Sequence, residues 1–346
     1  MLSKGNWHLL DEKIEKLLKD SGIVGASVAL TDREGLIYAR GFGLRDVLTG
    51  ASSTPDSIYR AASLTKMVTG ILTLRLAEEG RLSLDAPVRS YLPWLTLSDS
   101  GAAEKMTLRH LLSHTSGLPA EYTPEGPWEE GMLAESLKSG LPSLELSSLP
   151  GEGKFLYSNW GIRLLSAAIE AVMGERYSTL AERYVLTPVG MSSSAFTRRG
   201  FMEDRLSLPH EIGEGGAPVS SNYIKENHTR LATGGLYSTV TDLAALMRVF
   251  LRGGVADGGE RILTEASLWE MMRRQTVMKS GNGYCLTLMD RPLGTHTLYG
   301  HTGNATPYTS AAFADPVSGY AAVAMLNTYS EDLRSELVSL MLSEVI

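Results

Sequence analysis

Trp7, Leu10, Ile14, Leu17 and Leu18 recur at helical spacing among Asp11, Glu12, Lys13, Glu15 and Lys16, which predicts an amphipathic helix near the start of the chain, packed on the body. Residues 25–31 (GASVALT) and 35–43 (GLIYARGFG) are β-rich runs, and Asp32-Arg33-Glu34-Gly35 between them is a hairpin signal. Residues 63–79 carry Leu64, Met67, Val68, Ile71, Leu72, Leu74 and Leu76, apolar on nearly every side, so a buried helix is expected there, ended by Gly80. From Gly80 to about residue 234 the pattern is short helices and long loops. Residues 107–113, 161–173 and 178–184 read as helices; the Pro- and Gly-rich stretches 117–127 and 208–218 read as loops long enough to be functional or mobile.

Beyond Thr239, residues 241–251 (TDLAALMRVFL) read as a helix with Thr239 or Thr241 as cap. Strands are then expected at 283–289, 297–301, 308–314 and 320–326, and a last helix at 330–343. Strands at both ends and helices between them predict an α+β fold. One antiparallel sheet of about five strands, flanked by the terminal helices, is expected from residues 1–58 and 235–346. An all-helical domain, 59–234, is inserted, with the active site at the interface.

Composition narrows the function. The 346 residues are 43% apolar and 21% charged, ordinary for a globular chain. With 32 Lys and Arg against 39 Asp and Glu the net charge is −7, which gives nucleic-acid binding no electrostatic footprint. The single cysteine, Cys285, excludes an internal disulfide framework and a cysteine cage for zinc or an iron–sulfur cluster. No stretch approaches the ~18 uninterrupted apolar residues of a membrane span. The early charges break up the apolar run a secretion signal needs, so a cytoplasmic location is expected.

Three short motifs could carry chemistry. Ser63-Leu64-Thr65-Lys66 opens the buried helix, and residues three apart share a helix face, so the Lys66 amine can reach the Ser63 hydroxyl and serve as its base. As a bare pattern it would occur about once by chance in a chain this long, and taken alone it fits a capping serine with a snorkelling lysine better. What favours chemistry is that Lys66 lies on a helix with almost no polar face, and a buried lysine needs a reason. Tyr157-Ser158-Asn159 precedes a helix expected from near Gly161, where a phenol beside a lysine can act as general acid or base, or Asn159 can simply cap the helix. His301-Thr302-Gly303-Asn304 ends the strand 297–301, where Gly303 allows close backbone approach to a ligand, or the four residues form a plain turn.

Taken together, in this order and spacing, the motifs resemble those of the serine β-lactamase and penicillin-binding-protein superfamily, nearest to class C β-lactamases, HTG-type D-alanyl-D-alanine carboxypeptidases, D-aminopeptidases and β-lactamase-like esterases. Residues 108–119 (LRHLLSHTSGLP), 234–239 (GGLYST) followed by Asp242-Leu243, and 25–29 (GASVA) also look like family signatures, so the likeness spans nearly the whole chain. The resemblance implies an acylated nucleophile at Ser63, with Lys66 as its base or proton partner and Tyr157 as proton shuttle. It implies that Asn159 orients Lys66 and holds a substrate carbonyl, that His301, Gly303 and Asn304 line the substrate strand, and that the N–H groups of Ser63 and Asn304 form the oxyanion hole. It makes His110 and His114 structural. No third metal ligand accompanies that pair, His210-Glu211 lacks the second histidine of HExxH, and GxSxG and nucleotide loops are missing, so neither metal nor cofactor is expected.

Three departures shift the expected substrate. A cytoplasmic protein has no access to peptidoglycan, which demotes a cell-wall carboxypeptidase. His301 replaces the lysine of a KTG motif by a group of ordinary pKa ~6.5, which weakens carboxylate recognition unless it is protonated or an arginine contributes. Asn304-Ala305-Thr306-Pro307-Tyr308 lacks a glycine that many relatives carry, and Pro307 removes a backbone N–H. Nothing resembles the deacylating glutamate loop of class A enzymes, so deacylation should depend on Tyr157. The expectation is a serine hydrolase of small esters, amides or peptides, ahead of a β-lactamase or D-alanyl-D-alanine carboxypeptidase. A catalytically silent binding protein on the same fold is the non-enzyme alternative.

Overall fold

A computed structural model describes residues 7–120, 129–221 and 226–346. Nine strands form one antiparallel sheet: β1 (Gly25–Asp32), β2 (Leu36–Asp46), β3 (Ala51–Ser52), β4 (Thr276–Val277), β5 (Gly283–Tyr284), β6 (Met289–Leu293), β7 (His296–Ala305), β8 (Tyr308–Asp315) and β9 (Tyr320–Leu326). Their spatial order is β3-β2-β1-β9-β8-β7-β6-β5-β4. The two ends of the chain meet where β1 pairs with β9, Ala26 opposite Leu326. The expected count of about five strands is corrected to nine. Only β1, β2, β7, β8 and β9 run to seven residues or more; β3 and β4 have two residues each, too few for an alternation signal, and β5 and the start of β6 fall within the single strand expected at 283–289.

Both faces of the sheet are covered, which is why β8 and β9 read as continuous runs of small apolar residues. On one face Ala322, Ala324 and Leu326 pack with Leu10, Ile14 and Leu18 of α1 (His8–Asp20). Leu337, Val338 and Met341 of the last helix, Glu331–Ser343, share that core. On the other face Ala321, Val323 and Met325 belong to a larger core with α2 (Thr65–Glu78), α3 (Asn159–Met173) and α4 (Val240–Leu251); the last helix is α5. The terminal helices therefore share one face, and the helical layer occupies the other. Residues 65–74 of α2 are buried without exception, as its lack of a polar side requires.

Several element boundaries move, each for a local reason. The strand expected at 283–289 is interrupted: Thr287 takes φ +60 and its N–H donates to Leu112 O at 2.9 Å, tying the loop to the helical layer. β7 continues through the HTG motif to Ala305, and Ala305 pairs with Tyr308 across Thr306-Pro307. α3 starts at Asn159 because Ser158, not Asn159, is its cap, accepting from Gly161 N. Thr239 caps α4, accepting from Asp242 N at 3.1 Å. Residues 208–218 are not a plain loop, since His210–Ile212 pairs with Pro218–Ser220. Of the loop expected at 117–127, residues 121–127 lie outside the described residues.

Candidate active site

Ser63 sits in a 3-10 turn, Ala62–Leu64, that leads into α2. Ala62 just before it takes φ +52, a left-handed conformation that costs an L-residue about 1–3 kcal/mol. The turn is over-determined. Ala61 N donates to Leu236 O at 2.8 Å, Ser310 Oγ donates to Ala61 O at 2.8 Å, and Thr65 Oγ1 donates to Ala62 O at 2.6 Å. The segments that supply Leu236 and Ser310 thus fix the backbone beneath Ser63.

Lys66 is wholly buried, and its Nζ donates to Ser63 Oγ at 3.1 Å and to Thr233 O at 2.7 Å. Tyr157 comes from the segment before α3, and its hydroxyl donates to the same Ser63 oxygen at 2.9 Å. The Tyr157 ring also covers Lys66 Nζ, 4.9 Å from its centroid. Two donors on one hydroxyl oxygen favour that oxygen as it becomes anionic. Burial raises the Tyr157 pKa well above its ordinary value, so the phenol keeps its proton at rest. Beneath it lies His114, at φ +55, 4.3 Å from the Tyr157 ring and 5.0 Å from the Tyr284 ring. His114 Nδ1 accepts from Ser158 N at 3.2 Å, while His110 Nδ1 accepts from Thr107 N and caps the helix Leu108–Leu112.

His301 is buried on β7. Its Nδ1 is 2.5 Å from Thr302 O and its Nε2 is 3.1 Å from the Tyr284 hydroxyl. A carbonyl only accepts, so Nδ1 carries the proton and Nε2 accepts from Tyr284. Burial, helped by the positive charge of Lys66, pulls the His301 pKa down to about 3. The imidazole is therefore neutral at physiological pH, and protonation does not make up for the missing KTG lysine. Asn159 Oδ1 is buried without a hydrogen-bond partner, so Asn159 does not hold Lys66 through that atom; Thr233 O does.

Gly303 is where β7 meets the turn of Ser63. A Cβ there would stand 2.6 Å from Ala61 O, 3.0 Å from Ala62 Cβ and 2.3 Å from Ser310 Oγ, so only glycine fits. The Asn304 side chain points to α5, its Nδ2 donating to Glu331 Oε1 at 2.6 Å and its Oδ1 accepting from Arg334 Nη1. The same Arg334 nitrogen donates to Gly303 O at 2.5 Å. The sequence reading missed Arg334, Tyr284 and the Thr233 carbonyl. Arg334 leaves one signal: it lies on the helical stripe of Val338 and Met341, a charge among residues that face the core.

A sheet covered on one face by the two terminal helices and on the other by a helical layer, with Ser63, Lys66 and Tyr157 converging between layer and strand, is the β-lactamase/transpeptidase-like arrangement. The chain belongs to the Beta-lactamase family, whose profile matches residues 10–342. It is 29% identical over 221 residues to Protein flp of Staphylococcus aureus (strain NCTC 8325 / PS 47), covering 64% of this chain and 44% of that protein. The match thus spans under half the length of that relative. Penicillin-binding protein 4 of Amycolatopsis lactamdurans is 26% identical over 328 residues, 91% of this chain and 84% of that one. Among solved structures, the octameric penicillin-binding protein homologue from Pyrococcus abyssi superposes with a TM-score of 0.84 at 26% identity, covering 98% of this chain and 77% of that one. A class C beta lactamase from Rhodobacter sphaeroides shares the fold at TM-score 0.80 and 18% identity, covering 97% and 98%. No described helix is long and apolar enough to cross a membrane.

Proposed function

We propose that the chain is a serine hydrolase that forms and then hydrolyses an acyl-enzyme on Ser63, acting on small esters, amides or peptides. The observation that carries this reading is the convergence of Lys66 Nζ and the Tyr157 hydroxyl on Ser63 Oγ, at 3.1 and 2.9 Å. Ser63 Oγ bonds to the substrate carbonyl carbon and its proton passes to the Lys66 amine, which acts as base through its neutral form. The N–H groups of Ser63 and Asn304 receive the negative charge on the substrate oxygen. When the tetrahedral intermediate collapses, the bond to the leaving alcohol or amine breaks. The leaving group takes a proton from Tyr157, which Lys66 replaces. Water then attacks the acyl carbon and the same proton path runs in reverse, with Tyr157 serving the second half as it served the first. Asn159 and the His301–Asn304 strand flank the substrate.

The substrate preference rests on His301. A neutral imidazole with both nitrogens engaged offers a substrate carboxylate no fixed positive charge at that strand position, which favours neutral esters, amides and short peptides over β-lactams. A class C-like β-lactamase or D-alanyl-D-alanine carboxypeptidase ranks second. The deciding experiment incubates the protein in parallel with p-nitrophenyl butyrate, a penicillin, a cephalosporin and a D-alanyl peptide, following intact mass and product release. Fast release from the ester or peptide, with slow or trapped lactam adducts, is expected. Fast lactam hydrolysis would place β-lactamase first, and neither adduct nor turnover would leave a silent binding protein.

A further inference from the structure

One charged side chain of the site belongs to neither the nucleophile nor the proton path. Arg334, on the first turn of α5, is 5% exposed, and it reaches across to the strand that runs past Ser63. Its Nη1 donates to Gly303 O at 2.5 Å and to Asn304 Oδ1, and its Nη2 lies 3.6 Å from Glu331 Oε2. Glu331 in turn accepts from Asn304 Nδ2 at 2.6 Å and from the Tyr329 hydroxyl at 2.5 Å. The Asn304 amide is therefore clamped at both ends, its oxygen by a cation and its nitrogen by a carboxylate.

What this does to the backbone follows from peptide geometry. The Gly303–Asn304 peptide is trans, so its carbonyl and its N–H point in opposite directions. With Gly303 O turned to the guanidinium, Asn304 N–H is turned away from it. A carbonyl that accepts from a cation also makes the N–H of the same amide a stronger donor. Gly303 itself packs on Ala61 and Ala62, the two residues before Ser63.

We propose that Arg334 is a positioning residue for oxyanion stabilisation: by holding the Gly303 carbonyl it fixes and polarises the peptide whose N–H, that of Asn304, receives the charge developing on the substrate oxygen. The inference rests on acylation at Ser63. It gives the arginine a role different from reading a substrate carboxylate, because its Nη1 is already committed to this strand.

The test compares wild type, Arg334→Gln and Arg334→Lys with p-nitrophenyl butyrate, with an ester bearing a carboxylate, and with phenylboronic acid, which forms a tetrahedral anion on a reactive serine. Arg334→Gln is expected to lower kcat/KM about 10- to 100-fold for both esters, the scale of a misplaced catalytic donor, and to raise the boronate Ki by the same factor. A merely structural role would not make those two quantities move together. Arg334→Lys keeps the cation and the apolar stem but cannot hold both acceptors equally well. It is expected to lie between the other two proteins, and it keeps the test alive should Arg334→Gln not fold. The proposal is overturned if folded Arg334→Gln stays within about twofold of wild type or, should that variant not fold, if Arg334→Lys does. It is overturned too by a rate loss without a matching loss of boronate affinity, or by a loss confined to the carboxylate ester. Wild type that neither turns over nor binds the boronate would instead remove the Ser63 reading, and this inference with it.

Discussion

The Tyr157 hydroxyl donates to Ser63 Oγ at 2.9 Å while the ring of the same residue lies over Lys66 Nζ, 4.9 Å from its centroid. One side chain thus touches both members of the serine–lysine pair. Because burial favours the protonated phenol at rest, the proposed reaction has Lys66 take the serine proton and Tyr157 deliver one to the leaving group. Tyr157→Phe and Lys66→Ala are each expected to cost about 10²–10⁴ in turnover, the range for a general acid–base group. The double variant should lose far less than the product of the two, since the residues act as a unit. Steady-state kinetics with a p-nitrophenyl ester would show this, and full multiplicativity would mean the residues work independently.

Substituting the strand histidine should change selectivity. His301→Lys places an ammonium where a neutral imidazole now bonds Tyr284 and Thr302 O. The ratio of kcat/KM for penicillins or cephalosporins to that for simple esters is expected to rise. An unchanged ratio would mean that His301 does not set the preference.

Stability should fall on mild acidification. Burial lowers the pKa of His301 to about 3, and it lowers those of His114, His110 and His210 as well. The unfolded chain binds protons at each histidine near its ordinary ~6.5, so below that pH it gains protons the native state refuses. For His301 this contribution is complete above about pH 6.5 and is lost progressively towards pH 3, by up to ~1.4 kcal/mol per pH unit; the other three histidines add to the loss in the same direction. Denaturant midpoints at pH 7.5, 6 and 5 would show the decline. His301→Gln should decline less steeply than wild type, and parallel curves would contradict the role given to His301.

Gly303→Ala tests the close contact between β7 and the Ser63 turn. The new methyl group would press on Ala61 O and Ala62 Cβ, at 2.6 and 3.0 Å, and shift a turn already strained at Ala62. Misplacement of the nucleophile on the ångström scale is expected to cost about 10²-fold in acylation rate. A folded variant with wild-type acylation would show that the turn can absorb the displacement.

How much of this was legible beforehand depends on how local each signal is. The long strands announce themselves as apolar or β-rich runs between turn signals and the first helix through its helical spacing, and the spacing of Ser63 and Lys66 already puts them on one face. The short strand Thr276–Val277 could not be read, because two residues carry no period and its pairing is set by tertiary contacts; Gly283–Tyr284 lies within the strand expected at 283–289, whose interruption at Thr287 left no signal. His301 was visible as a residue but its charge state was not, since that depends on Tyr284 and Lys66 from other parts of the chain. Arg334 acts through a backbone carbonyl 31 residues away, and no side-chain pattern reports such a contact.

The most direct measurement is labelling of wild type and Ser63→Ala with a fluorophosphonate, followed by intact mass and peptide mapping. Wild type should gain a single adduct on the peptide containing Ser63. Ser63→Ala should gain none while keeping the same thermal midpoint. An unlabelled wild-type protein that is folded, or a label carried elsewhere and undiminished in Ser63→Ala, would contradict acylation at Ser63.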